Sequence, residues 1–423
     1  MSDARVVITG AGVVSPLGGT LTELWRGLED GESAVRPLSR FDASRFACRI
    51  AAEVSPSVCP PAEGPYAHEV RRGGKFVHFA VAAAERAASD GRLRLDGEAA
   101  ASCALYLGVS TGGLDEMENA VIRQETRGAR KVSPYQITSM LPNMAAGLIA
   151  LRNDFTGPQY TISGACASGS QAIGQAFHAI RSRVVDCALA GGADGVLTPI
   201  AFSSFQAMRM LSTRNGGRPT PRPFDCDSDG IVLGEGAVVF CLEERERAVR
   251  RGARIYAEIE GYATCSGGGG VALPSTSDTL RCLRLALADA RRDSADVDCV
   301  YAQAAGVRKG DESELDALQA LFAAGRARPA VTSIKGHLGH TFAASGPLNL
   351  AAAVGALNGR KISPTLNLEA VAPQYSGMNL FPDYGAGAVR RCLINTYGFG
   401  GVGAALVVAQ PFHGSPVPEA KEI

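Results

Sequence analysis

The segment Ser163-Gly-Ala-Cys166-Ala-Ser-Gly169-Ser170 places a cysteine between a short apolar strand pattern and a helical one. A sulfur there faces exposed backbone amides and the positive end of a helix dipole, both of which favour the thiolate. The small flanking residues let a thioester carbonyl approach the backbone, so the Cys166 amide can serve an oxyanion. On these residues alone two readings stand: a nucleophilic thiol, or a cysteine buried at a tight turn.

Gly108-Val-Ser110-Thr-Gly112 offers a competing nucleophile. It follows a strand pattern and precedes a helix, as a nucleophile elbow does, and Asp311 and His340 supply the chain order Ser, Asp, His of an α/β-hydrolase. Such a glycine-rich pattern arises easily, and the Ser110 reading leaves the cluster around Cys166 unexplained. Gly10-Ala-Gly12 after the first strand is a weak dinucleotide signal, because Ser15 stands at the third glycine position and Pro16 interrupts the first helical turn.

Short runs rich in Val, Ile and Ala alternate with helical patterns, which implies an α/β layered fold with buried strands. Strands are predicted at 5–9, 103–109, around 160–163 and at 187–190, with Gly191-Gly192 as the turn after the last. Helices are predicted at 21–28 and 76–88, and Ile173, Ala176, Phe177 and Ile180 mark the apolar face of another. A second series starts near Ile255, with a helix at 279–291, strands near Val300 and Val331, a helix at 343–357 and a strand at 392–395. The expected organisation is an N-terminal half over 1–253, a C-terminal half over 254–412 and a tail over 413–423. No repeat at a fixed period proves a duplication. Residues 266–270 read as a flexible loop, and the segment from Pro411 onward as a frayed terminus.

Lys+Arg and Asp+Glu both number 42 in 423 residues, so no basic field favours nucleic acid or an anionic membrane. No stretch reaches ~20 uninterrupted apolar residues, and the amino terminus lacks a basic segment followed by an apolar one. A cytoplasmic protein is expected. Eleven cysteines, an odd number without a CxxC pair, read as reduced core thiols, and the six histidines do not cluster with them at zinc spacing. No metal site is expected.

The chain resembles the beta-ketoacyl-acyl carrier protein synthase family from about residue 5 to 408. Arg5-Val-Val-Ile-Thr-Gly-Ala-Gly-Val-Val-Ser-Pro, Gly164-Ala-Cys-Ala-Ser-Gly169, Ala190-Gly-Gly-Ala-Asp194 and Leu211-Ser-Thr-Arg-Asn215 carry the likeness. So do Arg222-Pro-Phe-Asp225, Asp229-Gly-Ile-Val-Leu-Gly-Glu-Gly236, Lys335-Gly-His-Leu-Gly-His340 and Asn395-Thr-Tyr-Gly-Phe-Gly-Gly401. The resemblance implies a thiolase-like five-layered αβαβα fold of two similar halves, and a homodimer or a heterodimer with a related ketosynthase subunit. It implies that Cys166 takes an acyl group from the phosphopantetheine arm of an acyl carrier protein, with no bound cofactor. By the same resemblance the amides of Cys166 and Phe399 form the oxyanion hole, and Phe399 gates the malonyl side. His340 holds the extender thioester oxygen, Lys335 is a fixed charge tied to Glu314, and Thr111 lines the acyl pocket. His337 has no family counterpart and reads as a loop residue. Arg71, Arg72, Lys75, Arg127, Arg130, Lys131 and Arg209 are candidates for docking an acidic carrier protein.

Gln303 stands where the family has its first histidine. A glutamine amide donates a hydrogen bond but cannot exchange protons near neutral pH as imidazole does. Val402 and Gly403 replace the usual Thr-Asn, and Ser228 an arginine. The resemblance therefore implies decarboxylative condensation in polyketide or specialised fatty-acid biosynthesis, with decarboxylation impaired. Two alternatives remain: nonelongating transfer to another nucleophile, and a catalytically silent partner that shapes the chain length made by an active subunit.

Overall fold

In the computed structural model, residues 3–93, 101–268, 270–323, 328–381 and 389–411 are described. Among these described residues the strands are β1 (Val6–Val14), β2 (Arg36–Pro37), β3 (Ile50–Ala51), β4 (Cys103–Gly108), β5 (Gln159–Ile162), β6 (Cys187–Asp194), β7 (Gly236–Glu244), β8 (Ala257–Ser266), β9 (Cys299–Tyr301), β10 (Ala330–Thr332), β11 (Arg391–Gly398) and β12 (Val402–Ala409). Ten of them form one sheet in the order β10-β9-β11-β12-β8-β1-β7-β6-β4-β5, and β2 and β3 form a small separate ribbon.

That order is symmetric about the β8–β1 joint. On one side β5, β4 and β6 are parallel, and β7 and β1 follow antiparallel. On the other, β10, β9 and β11 are parallel, and β12 and β8 follow antiparallel. Cys103 faces Cys187 across β4 and β6, and Cys299 faces Cys392 at the corresponding place across β9 and β11. The two halves thus share a topology, although no repeat is visible in the sequence.

Between the halves lie the helices Ser168–Arg181 and Ser345–Leu357, which pack on each other and on strands of both sides. Ile173, Ala176, Phe177 and Ile180 are all buried there, each large apolar side chain contributing about 1.5–3 kcal/mol. The helices Lys75–Asp90 and Asn143–Arg152 cover the outer face of one half, and Thr276–Asp289 with Arg308–Phe322 cover the other. Helix, sheet, helix, sheet and helix give five layers. Strands covered on both faces read as unbroken apolar runs, and β1 and β7 are buried at every position.

Several sequence expectations are corrected. The first strand continues past Thr9 to Val14: a Cβ at Gly10 or Gly12 would strike the backbone of the helix Lys75–Asp90 or of Gly91, so these glycines serve close packing. Gly191-Gly192 is the interior of β6 and not a turn, because their missing side chains admit the carbonyls of Val238 and Ala343. His337 is fully buried in the short helix Lys335–Leu338, with ring nitrogens at 2.8 Å from Glu32 O and 2.9 Å from Pro364 O. Ser266 closes β8, whereas Gly269 and the tail expected over 413–423 lie outside the described residues. All eleven cysteines are free thiols and nine are buried, as expected.

Candidate active site

Cys166 lies in the connection from β5 to the helix Ser168–Arg181. Ala165 before it adopts φ 48°, a left-handed conformation uncommon for a residue with a side chain. The Ser168 hydroxyl stabilises this elbow, accepting the Gly164 amide at 2.9 Å and donating to the Ala165 carbonyl at 2.5 Å. A Cβ at Gly169 would lie 2.2 Å from Ala343 O, and one at Gly398 2.7 Å from Cys166 N. Small residues thus bring three segments of backbone against the sulfur.

The thiol opens on an apolar cavity of about 360 Å3, to which Gln303, His340, Phe399, Thr111 and Ser110 also contribute. Among the described residues the Cys166 and Phe399 amides donate to no other residue, the Cys166 amide facing its own sulfur, which leaves both within reach of an oxyanion. Burial, and then the Asp194 carboxylate, push the Cys166 thiol up to about 12, with Lys335 opposing. Burial at this sulfur thus works against the thiolate that the helix dipole favours.

His340 is pinned by its backbone to the residues of the Asp229–Gly236 motif: its amide donates to Val232 O at 2.7 Å and its carbonyl accepts from Gly234 at 2.9 Å. Its Nδ1 accepts the Phe342 amide at 3.3 Å and lies 3.1 Å from the Ser345 hydroxyl, so the ring proton resides on Nε2. The ring stacks on Phe342 at 4.8 Å. Burial, aided by the Lys335 charge, lowers its pKa to about 3. His340 is thus a neutral donor.

Gln303 follows β9 and is 1% exposed. Its amide nitrogen donates to the Tyr397 carbonyl at 3.3 Å, and its Oε1 has no partner among the described residues. Glu314 fixes this segment, accepting the amides of Gln303 at 2.9 Å and Ala304 at 2.8 Å and the Asn395 side chain at 2.5 Å. Burial raises the Glu314 carboxyl. The expected tie between Lys335 and Glu314 is not an ion pair: among the described residues Lys335 Nζ is buried without a hydrogen-bond partner, and Glu314 acts on it through its field. Burial lowers Lys335 to about 8.

Ser110, Asp311 and His340 do not assemble a triad. The Ser110 hydroxyl donates to Asp194, and Asp311 accepts the amides of Phe224, Ala305 and Gly306 at 3.0, 3.0 and 3.1 Å. His340 Nδ1, being an acceptor, has no proton to offer an aspartate. Asp194, which the sequence reading passed over as part of a motif, is the carboxylate nearest in influence to the nucleophile. All seven basic candidates for carrier docking are exposed, and none lines the cavity. Arg71 and Lys75 share a surface groove, Arg72 stacks over Tyr135, and Arg209 immediately precedes the cavity residue Met210. Arg127, Arg130 and Lys131 sit at the end of the helix Leu114–Arg127 and in the turn after it. A wider groove of about 880 Å3, lined in part by Arg86, Asp90 and Tyr256, contains none of the predicted residues. Among the described residues no cluster of His, Cys, Asp or Glu is placed to hold a metal, and no helix is long and apolar enough to cross a membrane.

A cysteine at a helix N-terminus, two free amides beside it and a buried histidine donor, set between two topologically equal halves, define the thiolase-like class of acyl-transfer folds. The family model for the beta-ketoacyl synthase N-terminal domain matches residues 3–248, and that for the C-terminal domain residues 256–369. The chain belongs to the beta-ketoacyl synthase family. It is 35% identical over 405 residues to the 3-oxoacyl-[acyl-carrier-protein] synthase 2 of Synechocystis sp., covering 94% of this chain and 96% of that protein. Among solved structures it is similar to the ishigamide ketosynthase/chain length factor, with TM-score 0.89 and 30% identity over 97% of this chain and all of the other. It is also similar to a ketosynthase bound to a hexaketide and in complex with its type II polyketide acyl-carrier protein, with TM-score 0.87 and 27% identity over 97% and 100%.

Proposed function

We propose that this protein is a ketosynthase-type acyltransferase that loads an acyl group from acyl carrier protein onto Cys166 and extends it by decarboxylative Claisen condensation, in polyketide or specialised fatty-acid biosynthesis. The observation that carries the reading is the convergence of Cys166, His340, Gln303 and Phe399 on one apolar cavity. In loading, the Cys166 sulfur attacks the carrier thioester, the new acyl–sulfur bond forms, and the phosphopantetheine thiol leaves with a proton. The free amides of Cys166 and Phe399 stabilise the oxyanion between the two. In extension, the malonyl C–C bond breaks to release carbon dioxide, and the resulting enolate attacks the acyl carbonyl. The acyl–sulfur bond then breaks, and Cys166 regains a proton. His340 Nε2–H donates to the enolate oxygen, and Lys335 adds positive charge behind it. Gln303 contributes polarity without proton exchange, so decarboxylation is the weakened step.

The carrier is read as an acidic partner presenting its pantetheine arm. The exposed edge strand β5, with Tyr160 on it, and the exposed Met117, Val121, Ile122 and Ile137 support docking of a second ketosynthase-fold subunit, this chain or a relative. A silent partner role is disfavoured by the nucleophile, which remains complete in its elbow. Intact-mass spectrometry of the protein and its Cys166→Ala variant tests the reading, with acyl-carrier thioesters offered with and without malonyl-carrier protein. Acylation of Cys166 followed by a product two carbons longer supports condensation. Acylation that never extends would shift the reading to nonelongating transfer, and a folded protein that never acylates would refute it.

A further inference from the structure

Asp194 ends β6 and is fully buried, yet no step above uses its carboxylate. Its Oδ2 accepts the Ser110 hydroxyl at 2.5 Å and the Ala343 amide at 2.8 Å. Its Oδ1 receives the amide and hydroxyl of Thr111, each at 3.4 Å, and the Ser110 amide lies 3.3 Å from both oxygens. These donors belong to two segments with different tasks. Ser110 and Thr111 form one wall of the cavity. Ala343 follows Phe342, whose amide fixes His340 Nδ1 and whose ring stacks on the imidazole. Gly192 and Gly169 give up their side chains so that the Ala343 carbonyl can sit between them.

We propose that Asp194 is a positioning residue of the acyl-transfer site, its carboxylate clamping the Ser110–Thr111 wall to the segment that orients His340, behind Cys166. A buried carboxylate is a costly way to fill space, and an apolar residue would fill it without that desolvation. What the carboxylate adds is two acceptor oxygens for converging N–H and O–H groups, whereas an asparagine offers one and turns an NH2 toward the remaining donors. The same charge acts on the thiol, raising Cys166 beyond what burial alone does. The other groups facing the sulfur are Lys335 and, from β11, Tyr397. Lys335 in turn acts on His340, and the charges acting on Lys335 are those of Glu314, Cys166 and Asp311.

The proposal rests on the acyl-transfer reading for what the clamped groups do, so its test has an arm that needs no substrate. Alkylation of Cys166 by iodoacetamide, read on its own peptide by mass spectrometry from pH 7 to 10, is measured beside extension kinetics. Wild type, Asp194→Asn and Ser110→Ala are compared, with folding checked by circular dichroism. Removing the charge in Asp194→Asn is expected to speed alkylation at pH 8 by about tenfold, one pKa unit. Extension kcat should fall by about tenfold or more while KM stays within about twofold, the split expected when a bound substrate meets a displaced His340. Ser110→Ala keeps the charge, so alkylation should be no faster, but kcat should fall by about threefold or more. A folded Asp194→Asn protein with the wild-type alkylation profile and kcat would overturn the proposal. Should that variant fail to fold, Ser110→Ala decides alone: unchanged kcat overturns, lowered kcat with intact fold supports. Should wild type never extend a chain, the condensation reading fails, and the alkylation profile still decides the case of Asp194.

Discussion

Replacing Gln303 by histidine should speed the decarboxylative step proposed for this site. The glutamine is buried beside Cys166 and His340, with Nε2 held by the Tyr397 carbonyl and Oε1 unpartnered. An imidazole there can keep the Tyr397 bond through one N–H and present the lone pair of its other nitrogen to the cavity, a base that an amide oxygen cannot match. A positioned general base contributes typically 10²–10⁴-fold. The same burial and Lys335 field that hold His340 near 3 would also weaken the new base, which favours the lower end. We expect Gln303→His to raise extension on the order of 100-fold, about 2.7 kcal/mol off the barrier. Loading of Cys166 should change by less than about twofold, because it uses the sulfur and the two amides. The assay is carbon dioxide release and formation of the two-carbon-longer acyl carrier, with Cys166 acylation followed separately. A folded variant that loads normally and extends within about threefold of wild type would refute this account of Gln303.

Three other outcomes follow from the same geometry. With the Cys166 thiol at about 12, its alkylation should climb about tenfold per pH unit from 7 to 9 without a plateau, and a plateau near 8 would contradict the burial argument. Gly398→Ala would set a Cβ 2.7 Å from Cys166 N, so acyl loading should drop by about 100-fold or more in a protein that still folds; loading near wild type would mean that this amide is not used. Burial raises Asp311 from 3.8 to about 7, so the native state holds its proton more tightly than the unfolded chain does. This contribution is present below about 3.8 and is lost as pH rises through about 7, on the order of 4 kcal/mol at most. Denaturant titrations should therefore find wild type losing stability relative to Asp311→Asn between pH 4 and 8, and the opposite slope would count against the shift.

Much of the fold was legible because buried strands and amphipathic helices leave periodic marks. The helix carrying Ile173, Phe177 and Ile180 was read correctly for that reason. Gly191-Gly192 was misread because glycine pairs usually signal turns, whereas here they mark backbone meeting backbone, which depends on Val238 and Ala343, both distant in the chain. The duplication was invisible because it survives as strand order and register, neither of which demands that residue types repeat.

The sequence by itself determined the family and singled out Cys166, His340 and Gln303 as the candidate site residues, since each is a residue type within a recognisable local motif. Only the tertiary structure decided the burial of Cys166 beside Asp194, the isolation of Lys335 from Glu314, the dismissal of a Ser110 triad and the place of Asp194. These properties come from burial, and from which distant donors reach a given oxygen, so they exist only once the two halves have closed on each other.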